Sequence, residues 1–310
     1  MAQIEVKQRI DENDIAEIAW LIKVASEFDA HKAIGDHAYI DLVLGGRIGF
    51  RGFVAKTEKH PHILGYAQIS RGPTSWGLEY VVHPNHRDGD IEIQLVNKAL
   101  EEIELQGGGH VHLWIPKPSP KDDKIAESIG LKKGRDLFQM RAVLTEAFDS
   151  GKIPCRPFQP EDTEQWLLLN NEAFKNHPEQ GNWDKETLRS RQMESWYSDE
   201  DFLIFDDPSL PDGRLAASCW IKLHDDDETI TGEIYVVSVS PDLQNTGFGK
   251  KVVACGLNHI LNKGIHNSML YVDSDNLPAL KIYRDLGFNV DHIDRAYVYD
   301  VPTPTSDPTP

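Results

Sequence analysis

A loop with two glycines, between an apolar segment and a helical segment, is the part of this chain best suited to bind phosphate. Residues 235–239 form a mainly apolar run, Pro241 ends it, and Gly247 and Gly249 precede a helix-like segment that starts at Lys251. At the start of a helix several backbone N–H groups lack partners and point the same way. The loop therefore predicts a pyrophosphate site, although its Gln-x-x-Gly-x-Gly spacing differs from the Walker A and dinucleotide-binding patterns.

A second motif follows downstream in residues 270–288. It runs from a strand-like segment through an Asn turn at Asn276 into a short helix that contains Tyr283 and closes with Gly287 and Phe288. Together, and in this order, the two motifs resemble those of the GCN5-related N-acetyltransferases (GNAT). The resemblance implies an α+β fold built on a mixed sheet, with an acyl-CoA as the cosubstrate.

The first half of the chain repeats this plan, as a search for internal similarity shows. Strand-like and helix-like segments recur in the same order, and Pro84 and Gly130 fall at the offsets of Pro241 and Gly287. The sequence therefore predicts two tandem GNAT acyl-CoA N-acyltransferase domains.

The predicted domains span residues 1–147 and 153–301. Glycine and prolines between residues 151 and 157 break both periodicities and mark the boundary. The proline-rich tail, 302–310, has nothing to bury and is predicted to be disordered.

The halves differ where chemistry is expected. Trp76 stands in the first half where Glu233 stands in the second, and Ala126 stands in place of Tyr283. The first-half loop has one glycine and two aspartates, whose charge would repel a phosphate at a helix N-terminus. The first domain is therefore predicted to be degenerate and non-catalytic.

Acetyl transfer to an amine requires that the amine lose a proton and that the departing thiolate gain one. Glu233 is the candidate base, and the two-residue period of a strand predicts that it shares the face of Val239. Tyr283 is the candidate acid, because an unperturbed phenol is protonated at neutral pH. A solvated strand-end acid and a packed aromatic are the ordinary alternatives for these two residues.

Residues 169–183 narrow the family. Two adjacent asparagines, the run His-Pro-Glu-Gln-Gly that starts at His177, and Trp183 resemble the signature of the mycothiol synthase family, the tandem acetyltransferases of actinobacteria. The resemblance implies acetyl-CoA as cosubstrate and the cysteinyl-glucosaminyl-inositol precursor, desacetylmycothiol, as acceptor. The cysteine amine of that precursor would be acetylated.

The same resemblance assigns contact residues. The precursor, in a cleft between the halves, would contact Asp36, Glu179, Lys222, Glu233 and Tyr271. For Asp36 an ordinary surface acid is an equal alternative. The family's CoA contacts would fall on Val237, Ser238, Val239, Gln244, Asn245, Thr246, Gly247, Phe248, Gly249, Lys250, Asn276, Leu277, Pro278, Ala279, Leu280 and Lys281.

Composition excludes several function classes. The formal charge of −18 argues against nucleic-acid and anionic-membrane binding and suits a cationic substrate. No apolar run approaches a membrane span or signal core, so a cytoplasmic location is predicted. The three cysteines are expected as reduced thiols. His110 and His112 lack further ligands nearby, so no metal is predicted. The chain is expected to be a monomer.

Two other functions remain open at this level. One is a tandem GNAT enzyme that acetylates another small amine, such as an aminoglycoside or a peptide N-terminus. The other is a non-catalytic module in which acyl-CoA binding regulates a partner. Retention of Glu233 and Tyr283 in the half with the intact loop favours an enzyme, and the 169–183 segment favours the mycothiol precursor.

Overall fold

The computed structural model describes residues 2–45, 49–58, 60–72, 74–151, 153–175, 177, 180–207, 210, 214–225 and 229–303. The helices are α1 Glu12–Asp29, α2 Asp36–Leu44, α3 Asp90–Leu105, α4 Pro120–Ile129, α5 Thr163–Ala173, α6 Lys185–Gln192, α7 Phe248–Asn262 and α8 Leu277–Asp285. The strands are β1 Gln3–Lys7, β2 Arg51–Thr57, β3 His60–Arg71, β4 Trp76–Val82, β5 Gly109–Pro116, β6 Lys132–Val143, β7 Arg156–Pro157, β8 Phe202–Asp206, β9 Leu215–His224, β10 Thr231–Val239, β11 Asn267–Asp273 and β12 Asn289–Val301. Residues 304–310 of the predicted disordered tail lie outside the described residues.

The chain forms two compact units. Unit 1 contains Met1–Asp136 with Ile293–Pro310, and unit 2 contains Leu137–His292. These units are not the same segments as the sequence repeats. The end of β12 pairs with β5 in unit 1, whereas the end of β6 pairs with β11 in unit 2. The last strand of each repeat thus completes the sheet of the other unit, and the predicted boundary at 147–153 falls inside unit 2.

Each unit contains a mixed sheet with the same strand plan. The order in unit 1 is β1-β2-β3-β4-β5-β12, and the order in unit 2 is β7-β8-β9-β10-β11-β6. Within both orders, only the fourth and fifth strands run parallel, β4 with β5 and β10 with β11. Mixed sheets with helices on them confirm the predicted α+β class.

In unit 2, α7 and α8 cover one face of the sheet and α5 covers the other. Close approach of α7 depends on two glycines: a Cβ on Gly232 would lie 2.6 Å from Ile260 Cγ2, and a Cβ on Gly256 would lie 2.5 Å from Cys219 Sγ. On the opposite face, Trp166 of α5 packs edge-on against Trp220 of β9. The sheet is therefore buried on both faces over much of its length.

Among the described residues, none of the helices combines the length and the apolar character that crossing a membrane would require.

The exchange of terminal strands determines which fragment of the second half can fold. Met140 and Leu144 are fully buried in the core under α7, and β6 pairs with β11 from Leu137 to Val143. A fragment of residues 137–292 should therefore unfold in one cooperative thermal transition followed by circular dichroism. A matched fragment, 150–292, loses this strand and leaves β11 as an open edge, so we expect it to aggregate or to unfold without cooperativity. Equal melting temperatures for the two fragments would contradict the assignment.

Candidate active site

The two parallel strands of unit 2 separate before they end. β10 pairs with β11 only from Thr231 to Ile234, although β10 continues along β9 to Val239 and β11 continues along β6 to Asp273. Beyond residue 234 the side of β10 that faces β11 therefore has no partner strand in the described part of the chain. Strand backbone groups left open in this way must be satisfied by other donors and acceptors, so the gap is suited to receive a ligand.

A β-bulge at Tyr235 changes which side chains share a face. Ile234 pairs with Ile221 and Val236 pairs with Trp220, so Tyr235 is an extra residue on β10. The predicted strand alternation breaks at this point. Val239 therefore lies on the α7 face and Glu233 on the α5 face, and the prediction that they share a face is wrong.

Glu233 lies on the α5 face in a closely packed polar group. It is 5% exposed, and its Oε2 atom lies 2.6 Å from Nε2 of His224. Lys222 lies opposite Glu233 in the register of β9 against β10. Its ammonium lies 5.0 Å from the ring centroid of Trp196 and 5.9 Å from that of Tyr235. The structure thus brings together Glu233 and Lys222 of the predicted site. Sequence reasoning missed His224, since one histidine near a strand end carries no pattern.

Tyr271 of β11 lies on the same face and is held by two side chains of β6. Gln139 donates a 2.7 Å hydrogen bond from Nε2 to the Tyr271 hydroxyl, and Arg141 donates a 3.0 Å hydrogen bond from Nε to Gln139 Oε1. Tyr271 remains 39% exposed. Gln139 was not predicted, because β6 belongs to the first repeat in sequence and reaches unit 2 only through the strand exchange.

The family-signature segment, residues 169–183, starts in the last turns of α5, and the described part of the loop that follows is held by polar side chains. Asn171 donates from Nδ2 to the Trp183 carbonyl (2.8 Å) and accepts the Trp183 N–H through Oδ1 (2.9 Å). Nδ1 of His177 accepts the N–H of Gln180 (3.0 Å). The ring proton therefore lies on Nε2, which is 3.2 Å from Oδ2 of Asp273 at the end of β11. The motif fixes the loop beside the point where the strands separate.

Two predicted substrate residues cannot be placed as side chains. Glu179 lies outside the described residues, and so does the side chain of Asp36, whose backbone begins α2. Their roles stay predictions.

The predicted phosphate loop has the backbone of an anion site. Asn245 and Gly247 have positive φ angles of 62° and 83°, and α7 begins at Phe248 without a side-chain cap. The N–H groups of residues 245–247 donate to no acceptor within the described part of the chain. Gln244 secures the loop to β10 through a 3.3 Å hydrogen bond from Nε2 to the Val239 carbonyl.

Other residues predicted to contact CoA differ in burial and in their hydrogen-bond partners. Ser238 is fully buried, and its hydroxyl has no hydrogen-bond partner among the described residues. Asn276 caps α8 by accepting the N–H of Ala279 (3.2 Å). Leu280 is only 2% exposed and packs in the core, so its side chain is not available to a ligand. Lys250 lies 3.4 Å from Asp285 at the surface.

Tyr283 lies on the opposite face of the sheet from Glu233. It packs on the core cluster that contains Cys219 and Leu270, and its ring meets Phe288 edge-on at 6.0 Å. Burial, with a smaller contribution from Cys219, raises the pKa of the Tyr283 phenol, and its hydroxyl forms no hydrogen bond with a described residue. A reacting centre served by both Glu233 and Tyr283 must therefore lie at the gap between β10 and β11.

In the equivalent loop of unit 1, backbone amides donate hydrogen bonds to side chains of the same segment. The Gly89 N–H donates to Oε2 of Glu92 (3.1 Å), and the Asp90 N–H donates to Oδ1 of Asp88 (3.1 Å). Arg87 turns back to form a bidentate pair with Asp29, both contacts at 2.7 Å. Carboxylates of the chain itself therefore already accept hydrogen bonds from the amides that a phosphate would use. No group of three or more metal-binding side chains occurs in either described unit.

Comparison with known proteins agrees with this geometry. The model of the acetyltransferase (GNAT) family matches residues 163–288. The chain is 34% identical to a mycothiol acetyltransferase of Acidimicrobium ferrooxidans, covering 91% of this chain and 93% of that protein. It is 32% identical to a mycothiol acetyltransferase of Thermobispora bispora, covering 95% and 99%.

Solved structures show the same fold. A GCN5-related N-acetyltransferase from Sphaerobacter thermophilus superposes with a TM-score of 0.74 at 19% identity, covering 96% of both chains. A tandem GNAT protein from the clavulanic acid biosynthesis pathway gives 0.71 at 12% identity, covering 99% of this chain and 100% of that one. The predicted tandem GNAT fold is confirmed.

The locked loop allows a stability test. Asn171→Ala removes both hydrogen bonds to Trp183, so we expect the free energy of unfolding in urea to fall by about 1–3 kcal/mol. Asn262→Ala, at an exposed position at the end of α7, is the matched control and should change it by less than about 0.5 kcal/mol. A loss as small as that of the control would mean that Asn171 does not hold the loop.

Proposed function

The chain belongs to the mycothiol acetyltransferase family of GNAT enzymes, and we propose that it transfers the acetyl group of acetyl-CoA to the cysteine amine of desacetylmycothiol. The observation that carries the proposal is the open gap between β10 and β11, with a carboxylate on one face and a phenol on the other. Acetyl transfer needs a proton acceptor for the amine and a proton donor for the leaving thiolate, and the gap separates these two roles.

Glu233 is the proton acceptor in this proposal. Its carboxylate takes the proton of the cysteine ammonium, directly or through water, which leaves the amine lone pair free to attack. His224 is a positioning residue, since the 2.6 Å contact of its Nε2 with Glu233 Oε2 fixes one carboxylate oxygen and leaves the other for the substrate. Lys222 and Tyr271, on the same face, offer polar groups to the hydroxyl-rich part of the acceptor.

Tyr283 is the proton donor. Burial raises the pKa of its phenol, so the proton is retained throughout the neutral and mildly alkaline range in which the enzyme would act. The phenol oxygen has no hydrogen bond to a described residue and is free to donate to a departing thiolate. In this proposal it acts from the α8 side, opposite the amine.

The residues of the loop fit an acyl-CoA cosubstrate, which supplies the acetyl thioester. The unpaired N–H groups of residues 245–247 and the N-terminus of α7 would hold a pyrophosphate. The buried hydroxyl of Ser238 and the open edge of β10 would satisfy the amide groups of the cosubstrate's arm. Unit 1 has no such fit because Asp88 and Glu92 take up its loop amides. We therefore assign acetyl-CoA binding and catalysis to unit 2 alone.

The proposal is tested by coenzyme A release across a panel of amines. We expect kcat/KM to be highest for desacetylmycothiol. Glucosaminyl-inositol without cysteine, free cysteine and an aminoglycoside should be poorer acceptors, because each lacks either the cysteine amine or the sugar and inositol contacts. A higher kcat/KM for an aminoglycoside or a peptide amine would identify that amine as the substrate instead. No coenzyme A release with any amine would exclude acetyltransferase activity.

Gly247 is the sharpest test of the loop. Its φ of +83° is strained for a β-branched residue, and a side chain would enter the open space where a phosphate would lie. Gly247→Val should abolish acetyl-CoA binding in isothermal titration. Gly264→Val is the matched control, since Gly264 also has a positive φ of +77° with nothing within 4 Å of its Cβ and lies outside the loop. Unchanged affinity in Gly247→Val would remove the loop from the proposed site.

Glu233 and His224 are tested together by the pH dependence of kcat/KM. Glu233→Gln should lower activity at neutral pH by roughly 10²-fold, with a smaller loss at high pH where the amine is already neutral. His224→Ala leaves the carboxylate without its partner and should reduce activity, whereas His224→Gln restores a hydrogen-bond donor and should recover most of it. If His224→Gln is as impaired as His224→Ala, the donor does not position Glu233, and an unchanged pH profile in Glu233→Gln would exclude the base.

Tyr283→Phe removes only the proton donor. We expect kcat to fall by roughly 10²-fold while the Kd for acetyl-CoA stays near that of the unaltered protein. Tyr299→Phe, at a partly buried tyrosine of unit 1, should leave both quantities unchanged. Full activity in Tyr283→Phe would assign thiolate protonation to another group or to water.

A further inference from the structure

Lys222 and Glu233 bring opposite charges to one point of the sheet of unit 2. They are partners in the register of β9 against β10, and side chains directly opposite in an antiparallel pair share a face, with Cβ atoms about 5 Å apart. Both residues are buried. An ammonium and a carboxylate attract one another strongly where water is largely excluded. Where each group lies therefore depends on its other contacts.

Each of the two charges has contacts of its own. The Glu233 carboxylate lies 2.6 Å from His224, between Oε2 and Nε2. The Lys222 ammonium lies 5.0 Å from the ring centroid of Trp196 and 5.9 Å from that of Tyr235. Both distances fall within the range of about 6 Å over which an aromatic face attracts a cation. The two rings thus stabilise the ammonium on the acceptor face, next to the carboxylate.

The orientation of Trp196 is set by polar contacts at its other edge. Its indole Nε1 donates a 2.7 Å hydrogen bond to Oε2 of Glu194. Oε1 of the same carboxylate accepts a 2.8 Å hydrogen bond from Nη1 of Arg191, in the last turn of α6. These two charged side chains are only 12% and 14% exposed. A hydrogen-bonded chain therefore runs from α6 to the indole and fixes the plane of the ring.

The second ring comes from the bulge in β10. Tyr235 is the extra residue of that strand, and its ring meets Trp196 edge-on at 5.2 Å and Trp220 edge-on at 5.5 Å. Trp196 also contacts Trp220, with ring centroids 5.8 Å apart. Lys222 follows Trp220 by two residues on β9, so the two side chains share a face. The three rings form one aromatic cluster, and the ammonium of Lys222 lies against it.

We propose that Trp196 is a positioning residue for the acceptor and that it acts through Lys222. This inference rests on the proposed function. With its charge stabilised by the rings, the ammonium is presented to the hydroxyl-rich part of the acceptor. The Glu233 carboxylate stays with His224 and serves as the proton acceptor. Without the Trp196 ring the ammonium would turn toward the carboxylate, and both the acceptor contact and the base would be weakened.

The kinetic test compares variants of the full-length protein with desacetylmycothiol as acceptor. Trp196→Leu removes the aromatic face, so we expect the acceptor KM to rise roughly tenfold while the KM for acetyl-CoA stays unchanged. Trp196→Phe keeps an aromatic face and should recover most of this loss. Phe28→Leu is the matched control, because it removes the 6.0 Å contact of an aromatic ring with the Arg87 guanidinium in unit 1. It should leave both KM values unchanged.

Lys222→Met tests whether Trp196 acts through the ammonium. This variant alone should raise the acceptor KM, and the double variant with Trp196→Leu should raise it no further, since the ring then has no cation to position. Additive losses would give Trp196 a role independent of Lys222 and would overturn the proposal. A Trp196→Phe variant as impaired as Trp196→Leu would overturn it as well.

Nuclear magnetic resonance of lysine side chains tests the contact without catalysis. In ligand-free protein labelled with ¹³C-lysine, ring currents of Trp196 and Tyr235 should shift the Hε signals of Lys222 upfield, and Lys222→Met assigns those signals by their loss. Trp196→Leu should return them most of the way to the position of an ordinary lysine.

An unshifted Lys222 signal in the unaltered protein would overturn the proposal, and this outcome does not depend on the folding of Trp196→Leu. Because the spectrum requires no acetyl transfer, it is read even if no amine supports coenzyme A release. A failure of the contact and a failure of the proposed function are therefore separate results.

Discussion

The early separation of β10 from β11 is the constraint on which the site depends. Parallel neighbours normally satisfy one another's backbone groups, but here the pairing ends at Ile234 and Leu270 while both strands continue on their outer partners. The backbone groups left open at the gap are available to partners other than a neighbouring strand, a ligand or water among them. The bulge at Tyr235 lies at the same point and sets Glu233 on one face while Val239 turns to the other. The proposed chemistry uses this arrangement, with amine and thiolate served from opposite faces.

Both units have this strand separation, and their side chains determine the different roles that we propose for them. In unit 1, β4 pairs with β5 only from Trp76 to Leu78, so that unit has a gap of the same kind. Its register between β3 and β4 runs without a bulge, and Glu92 caps α3 with a carboxylate. In unit 2 the corresponding helix begins uncapped after Gly247. A few residues at one helix N-terminus therefore account for the different roles proposed for two units with the same strand plan.

The sequence predicted those parts of the structure that depend on local patterns. The turn before α7, the helix opened by Asn276 and the repeat all rest on glycines, prolines and a capping residue at fixed spacing, whose conformational preferences act within a few residues. The bulge at Tyr235 was not predictable, because a run of strand-forming residues reads the same with or without an extra residue in its register. The exchange of β6 and β12 depends on contacts far apart in the chain, and Gln139 was missed for that reason. His224 required the register of β9 against β10, which brings it beside Glu233.

Isothermal titration of the full-length protein with acetyl-CoA tests the central claim most directly, because binding stoichiometry requires no knowledge of the acceptor amine. We expect about one site per chain, because of the two corresponding helix N-termini in the described part of the chain the one after Gly247 begins uncapped, whereas the one after Gly89 is occupied by its own carboxylates. Hydrogen exchange measured on the same complex should show protection in residues 244–250 and no change in residues 85–92. Two equivalent sites per chain, or protection around Gly89, would contradict the assignment of function to unit 2 alone.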